Sequence, residues 1–304
     1  FTMSVRISGA FNGQRRLLSL FGNIGGSMKK IVPKDHVYFK VKRPVGLKEK
    51  PKHLSKVSKG KHLTKEDLNI PRKIWNFYFD GVTRKTRVSK IEKEMAYGGM
   101  YDLHVYNKTK GRLFAAPPSY FKREKALYFP NFAVRSLAND QKELLDLVAG
   151  SKATILRVFS TRTGEEMTKE YFKVPDSEES YLADPGIDQL KQSYPDAQIL
   201  QLMLSDSWIK YLLHVYVSGP KLRQLVPESL YERFLFAMRD DVLSMEDRER
   251  LLMTNLYSGY VYVLDNSSRI RWVGSGWPEG DEVTKMWNAV RGVSREVNMS
   301  KTNC

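Results

Sequence analysis

The last third of the chain constrains the fold most. Two runs, Tyr260-Val261-Tyr262-Val263-Leu264 and Arg269-Ile270-Arg271-Trp272-Val273, flank Asp265-Asn266-Ser267-Ser268. β-Branched and aromatic residues on either side of a polar turn predict an antiparallel hairpin. Pro278 then opens a predicted helix with Val283, Met286, Trp287 and Val290 at i, i+3, i+4 and i+7. That spacing puts all four on one stripe, which the hairpin can cover. Upstream, 153–159 and 198–204 read as short buried strands. Helices are predicted over 140–149 (Asp140 as N-cap, Glu143 three residues on, Gly150 as stop), 164–172, 186–194 and 208–217, the last capped by Asp206 or Ser207. More helix is expected over 228–240 and 246–254.

Residues 128–297 thus alternate β and α and close on a hairpin and a helix, the order of a thioredoxin-like α/β domain. Redox members of that class need thiols. The chain has one cysteine, Cys304, so an internal disulfide, a CxxC pair and a thiolate zinc site are excluded within these residues. The position after the first core strand, where a reactive thiol would sit, reads Ser160-Thr161-Arg162-Thr163-Gly164-Glu165. The loop before the late strand reads Asn255-Leu256-Tyr257-Ser258-Gly259 and lacks a proline. Without a thiolate there is no sulfur nucleophile.

Charge divides the chain. Residues 1–127 carry 29 Lys/Arg against 9 Asp/Glu, and residues 128–304 carry 21 against 25. Electrostatics favours a polyanionic partner for the first part (anionic lipid, nucleic acid or an acidic protein), against the alternative of a targeting signal plus a solvated arm with no dedicated partner. Residues 1–34 contain six basic residues and no acid, with Arg15-Arg16-Leu17-Leu18-Ser19-Leu20-Phe21 as a short amphipathic stretch. This is the profile of a mitochondrial presequence. Residues 35–70 read as a flexible basic arm, with ten Lys/Arg and one acid between Lys40 and Lys65. Residues 71–127 read as an aromatic region packing on or near the core. They include an expected strand over 101–106, a turn over 107–111 and a linker at Pro117-Pro118. Residues 298–304 are left as a tail. No run approaches the roughly 20 apolar residues that span a bilayer.

Three segments carry a resemblance. They are Arg72-Lys73-Ile74-Trp75-Asn76-Phe77, Tyr128-Phe129-Pro130-Asn131-Phe132, and Gly259 to Asp265 running into Ile270-Arg271-Trp272-Val273-Gly274-Ser275-Gly276. Together they resemble the fungal mitochondrial ATP synthase assembly factor family, assembly protein ten, over about residues 70–295. The resemblance implies a peripheral protein on the matrix side of the inner mitochondrial membrane. It implies a chaperone for newly made Fo subunit a (subunit 6), promoting its assembly with the subunit c ring. It also implies a C-terminal domain related to thioredoxins and peroxiredoxins. The family supplies no catalytic residues to carry over.

Other motifs resolve into structural readings. Gly274-Ser275-Gly276-Trp277-Pro278-Glu279-Gly280 mimics a dinucleotide fingerprint but is one residue too long and lacks a following strand, so it reads as a tight turn before a helix. Gly25-Gly26-Ser27-Met28-Lys29 lacks the Lys-Ser/Thr pair of a phosphate loop. His36, His53, His62, His104 and His214 show no metal-ligand spacing, and no Gly-x-Ser-x-Gly elbow occurs.

The reading is therefore a non-catalytic chaperone without cofactor, metal site or small-molecule substrate. Candidate client contacts are Trp75, Phe77 and Phe79. Candidate contacts to an anionic inner-membrane surface are Lys48, Lys50, Lys52, Lys56, Lys59 and Lys61, since lipid attraction needs only charge, about 1 kcal/mol per cation. The apolar stretch 208–217 is a second possible client surface but reads mostly as core. Nucleic acid is not expected, because the arm lacks interleaved aromatics. The alternatives are an RNA- or ribosome-associated basic protein of the mitochondrion, or a degenerate thiol peroxidase.

Overall fold

A computed structural model describes residues 37–54, 99–175 and 177–302. The expectations for 1–34, for Lys56, Lys59 and Lys61, and for Trp75, Phe77 and Phe79 lie outside those residues.

The centre of the domain is β5 (Ala153–Phe159), in which every residue is buried. It pairs in parallel with β6 (Ala197–Ser205) and antiparallel with β8 (Tyr260–Asp265). β9 (Ile270–Ser275) continues antiparallel to β8 as the expected hairpin. The turn is fixed by Asp265, whose Oδ1 accepts the amides of Ser267 and Arg269, both at 3.0 Å. These four strands, in the order β6-β5-β8-β9 with a helical crossover between β5 and β6, make the thioredoxin-like core.

Period-two alternation sends the strand side chains into two layers. Leu156, Val158, Leu200, Leu202, Leu204, Tyr260 and Tyr262 line one face. Ile155, Ile199, Val261, Val263 and Trp272 line the other, beneath Met286, Trp287, Val290 and Val293. These last four belong to the C-terminal helix Glu282–Thr302. Trp287 sits against Tyr194 and Tyr181, with ring centroids 4.5 and 4.9 Å apart.

Several expectations are corrected. Residues 234–238 lie in the expected helix 228–240, yet Phe234–Met238 is strand β7, parallel to β6, preceded by a 3₁₀ turn Glu228–Arg233. Phe-Leu-Phe-Ala-Met is a short, almost wholly buried run, and periodicity cannot separate such a strand from a helix segment. A hairpin of β3 (Ala133–Ser136) and β4 (Gln141–Glu143) extends the sheet beyond β7, so the helix expected from Asp140 begins only at Leu144. The seven-stranded order is β4-β3-β7-β6-β5-β8-β9.

The strand expected over 101–106 is instead α1 (Gly99–Thr109), ended by Lys110 and Gly111 in left-handed conformations. Tyr-Asp-Leu-His-Val-Tyr imitates a strand because apolar and polar residues alternate along it. The C-terminal helix starts at Glu282 rather than Pro278 and continues through Thr302, so most of the expected tail is helical.

The described part of the basic arm is seated on the domain rather than free. β1 (Phe39–Lys40) pairs with β2 (Phe114–Ala115), Leu47 bridges Tyr128, and Val41 and Val45 are buried in the main core. Gly46 has φ +125°, and a Cβ there would lie 2.6 Å from the Tyr128 carbonyl oxygen. Basic composition hid this because the cations point outward while two valines anchor the chain. Of the expected linker Pro117-Pro118, Pro117 is buried and Pro118 exposed.

Candidate functional site

The place a reactive thiol would occupy is the start of α2 (Arg162–Lys169), directly after β5. Thr161 is its N-cap: the Thr161 Oγ1 accepts the Gly164 amide at 3.2 Å. That hydroxyl therefore satisfies a helix donor. Gly164 is buried against the loop that precedes β8, and a Cβ on it would stand 3.0 Å from the Ser258 carbonyl. From the other side, a Cβ on Gly259 would be 2.2 Å from the Gly164 carbonyl oxygen and 2.5 Å from Thr168 Cγ2. Backbone fills the space between the two elements.

The loop is held firmly. Tyr260 donates its hydroxyl to the Asn255 carbonyl and accepts the Asn255 amide, both at 2.9 Å. Asp102 of α1 accepts the Leu256 amide at 2.9 Å. Burial raises the Asp102 carboxyl above its usual range, and the Leu256 amide partly offsets this. Ser258 donates to the Gly111 carbonyl at 2.9 Å.

Beneath α2 lies Arg157, fully buried in β5. Its guanidinium donates to Thr168 Oγ1 at 2.7 Å, to Gln201 Oε1 at 2.5 Å and to the Glu165 carbonyl at 2.5 Å. Burial pushes its pKa down to about 10. The arginine ties helix to sheet and reaches no open surface.

A second hydroxyl has a base beside it. Ser205 Oγ and His214 Nδ1 are 2.9 Å apart, with Asp206 adjacent in sequence. Ser205 is 0% exposed, so no substrate carbonyl reaches its oxygen. The imidazole is held below its ordinary pKa, first by burial and then by Lys210, with Asp206 opposing. The pair joins the helical region to the end of β6.

A third group escaped sequence reading because its members lie 90 residues apart. His53 Nδ1 is 3.3 Å from Glu143 Oε2 and 3.4 Å from Asp146 Oδ1. Among the described residues these three side chains could approach one metal ion together. Glu143 Oε2 already accepts the Leu54 amide at 3.1 Å and Asn131 Nδ2 at 3.0 Å. Its evident work is to clamp residues 52–54 onto the domain, beside a cavity of about 310 Å³ that Lys142 also lines.

The largest surface departure from expectation is the helical run after β6. It consists of α3 (Trp208–Leu212), a π-turn segment (Leu213–Ser218) and α4 (Gly219–Leu225). Ser207 caps it, accepting the Lys210 amide. Pro220 lacks an amide, and a wider π turn is one way a helix absorbs that loss. The stretch 208–217 is not core. Tyr211, Val215, Leu222 and Val226 pack inward on Leu137, Phe159, Phe234 and Phe236. Outward, Ile209 is 54% exposed, Tyr216 58%, Val217 55% and Leu225 79%, with Trp208 and Leu213 also exposed. Apolar residues on both sides of the run gave it the composition of a core helix.

Of the sequence-predicted contacts, Lys48, Lys50 and Lys52 are exposed on the seated strap. Among the described residues, no helix is long and apolar enough to cross a membrane.

Comparison with known proteins follows the same direction as the sequence. A family model described as ATP10 protein matches residues 27–293. The mitochondrial ATPase complex subunit ATP10 of Candida glabrata is 32% identical over 264 residues, covering 87% of this chain and 88% of the relative. Its counterpart in Eremothecium gossypii is 32% identical over 278 residues, covering 91% and 93%. That of Saccharomyces cerevisiae is 28% identical over 257 residues, covering 84% and 87%. Among solved structures, BsSco, of the Sco family of cytochrome c oxidase assembly proteins, aligns with 8% identity over 56% of this chain and 95% of its own, with a TM-score of 0.38. A putative thiol:disulfide interchange protein DsbE from Chlorobium tepidum aligns with 10% identity over 56% and 96%, with a TM-score of 0.34.

Proposed function

The chain belongs to the ATP10 family, and from that premise we propose that it is a non-catalytic chaperone in the assembly of the mitochondrial ATP synthase. Its client is newly made Fo subunit a (subunit 6), which it delivers to the subunit c ring. It works as a peripheral protein on the matrix side of the inner membrane. The observation that carries the non-catalytic part is the Gly164–Gly259 contact. Where a redox relative would place a thiol, this chain places a capping hydroxyl and closely apposed backbone. With one cysteine in the sequence, Cys304, no dithiol exchange within the chain is available. Trp75, Phe77 and Phe79 serve as client contacts. The lysines at 48, 50, 52, 56, 59 and 61 draw the protein to anionic lipid.

The test is a null mutant. Its mitochondria should contain assembled F1 but lack Fo that includes subunit a. Normal incorporation of subunit a would overturn the reading. Salt-sensitive RNA binding together with normal subunit a assembly would favour an RNA- or ribosome-associated role for the basic part. Peroxide turnover by protein whose Cys304 has been replaced would end the non-catalytic assignment.

A further inference from the structure

The helical run 208–225 is apolar on the side that meets the sheet and apolar again on the side that meets solvent. One apolar stripe suffices to dock a surface helix; a second leaves free energy unclaimed unless something covers it. The outer stripe comprises Trp208, Ile209, Leu213, Tyr216, Val217 and Leu225. Residues 208–227 contain Lys210, Lys221 and Arg223 and no Asp or Glu. Arg135 adds a cation beside the stripe, its guanidinium 5.4 Å from the centre of the Tyr216 ring. Acids lie near as well: Asp206, which Lys210 pairs at 2.7 Å, Asp241, whose charge acts on Tyr211 on the inner side, and the exposed Glu228 directly after Pro227.

Apolar side chains flanked by cations, with a tryptophan and a tyrosine among them, match the requirements of a bilayer interface. The aliphatic groups enter the acyl boundary, the amphipathic rings sit at headgroup depth, and the cations meet lipid phosphates. A purely apolar protein helix would cover the stripe without using the exposed Lys221, or the charge on Arg223, whose Nε donates to the Leu137 carbonyl at 2.9 Å, and on Lys210, which Asp206 pairs. The run lies along the surface and is too short to span. We propose that this face rests in the surface of an anionic bilayer and sets the orientation of the domain on the membrane. The proposal rests on the peripheral attachment in the functional reading and deepens it, adding an apolar component on the domain to the charge carried by the basic arm.

The experiment is vesicle flotation of the full chain with phosphatidylcholine–phosphatidylglycerol vesicles, against phosphatidylcholine alone. The parent protein should float with the anionic vesicles. The double variant Leu213→Glu, Val217→Glu should float about tenfold less, since each change removes an inserted group and adds a repelled charge. Both positions are exposed, so its thermal unfolding midpoint should match the parent's. Trp208→Phe should lose part of the blue shift in tryptophan emission that vesicles induce, while Lys221→Glu should weaken flotation in low salt most. Flotation of the double variant equal to the parent's would overturn the proposal. Equal flotation with lost crosslinking to newly translated mitochondrial products would overturn it in favour of a protein-docking face. Flotation involves no ATP synthase, so the assembly reading can fail with this proposal intact, and the reverse.

Discussion

A Cβ on Gly259 would lie 2.2 Å from the carbonyl oxygen of Gly164, so these two glycines bring the loop before β8 and the first turn of α2 into backbone contact. The contact closes the position where a redox relative of this fold keeps its sulfur. Neither glycine has an unusual φ; the close approach alone excludes a side chain.

Gly259→Ala must therefore push α2 off the sheet. The expected cost is about 2 kcal/mol, the usual range for overpacking against unyielding atoms. Urea unfolding should show a lower midpoint with an unchanged slope. Thr161→Ala is the control on the same helix. It loses the cap to Gly164 and should cost about 1 kcal/mol. A Gly259→Ala variant as stable as the parent would mean that loop and helix are not in contact.

Arg157 holds the other side of that helix. Its removal strands the Gln201 Oε1 in a buried setting, while the Glu165 carbonyl keeps the Thr168 hydroxyl at 3.0 Å. Arg157→Met keeps much of the volume and loses the donors, so it should cost about 3 kcal/mol. Gln201→Leu in the same chain removes one stranded acceptor, and the double variant should recover about 1 kcal/mol of the loss. Additive losses would show that the two side chains do not interact.

How much of this was legible in sequence depends on what each residue's neighbours could reveal. β5, β6, β8, β9 and the last helix were readable because each has a clear local period and a turn or cap beside it, as at Asp265. β7 was not, since Phe234-Leu235-Phe236-Ala237-Met238 is apolar throughout and its strand state is set by pairing with β6. α1 was mistaken for a strand because Leu103 and Val105 alternate with Asp102 and His104. Of the candidate site, the empty thiol position was legible from the single cysteine, the run Ser160–Glu165 and the proline-free loop Asn255–Gly259. The exposed stripe was not, because composition cannot tell which of two apolar faces meets the protein. The Glu143 clamp was invisible for a different reason: His53 and Glu143 meet only in three dimensions.

That clamp should govern the strap 37–54. Glu143 is buried and accepts the Leu54 amide and Asn131 Nδ2. Glu143→Ala leaves both donors without this acceptor, and about 2 kcal/mol should be lost. The Leu54 amide should exchange with solvent faster, and limited proteolysis should cut near 50–54 sooner. Asp146→Asn, at an exposed position, should change neither by much. Equal exchange at Leu54 in parent and Glu143→Ala would show that Glu143 does not hold the strap, leaving that to Val41, Val45, the β1–β2 pairing and the Leu47–Tyr128 bridge.

His214 should make stability depend on pH. Its folded pKa lies below the ordinary histidine value of about 6.5, because burial and then Lys210 disfavour the imidazolium, with Asp206 opposing. The unfolded chain therefore takes up the proton first as pH falls. Stability from the neutral imidazole is fully present above about pH 6.5 and is lost as pH drops through the lower folded value. The Ser205–His214 contact is the joint that ties the π-turn segment to β6, so acid should loosen the helical run first. Urea midpoints at pH 7.5 and pH 5 should fall more in the parent than in His214→Gln, which carries no titrating group. Parallel falls in the two proteins would place the acid sensitivity elsewhere.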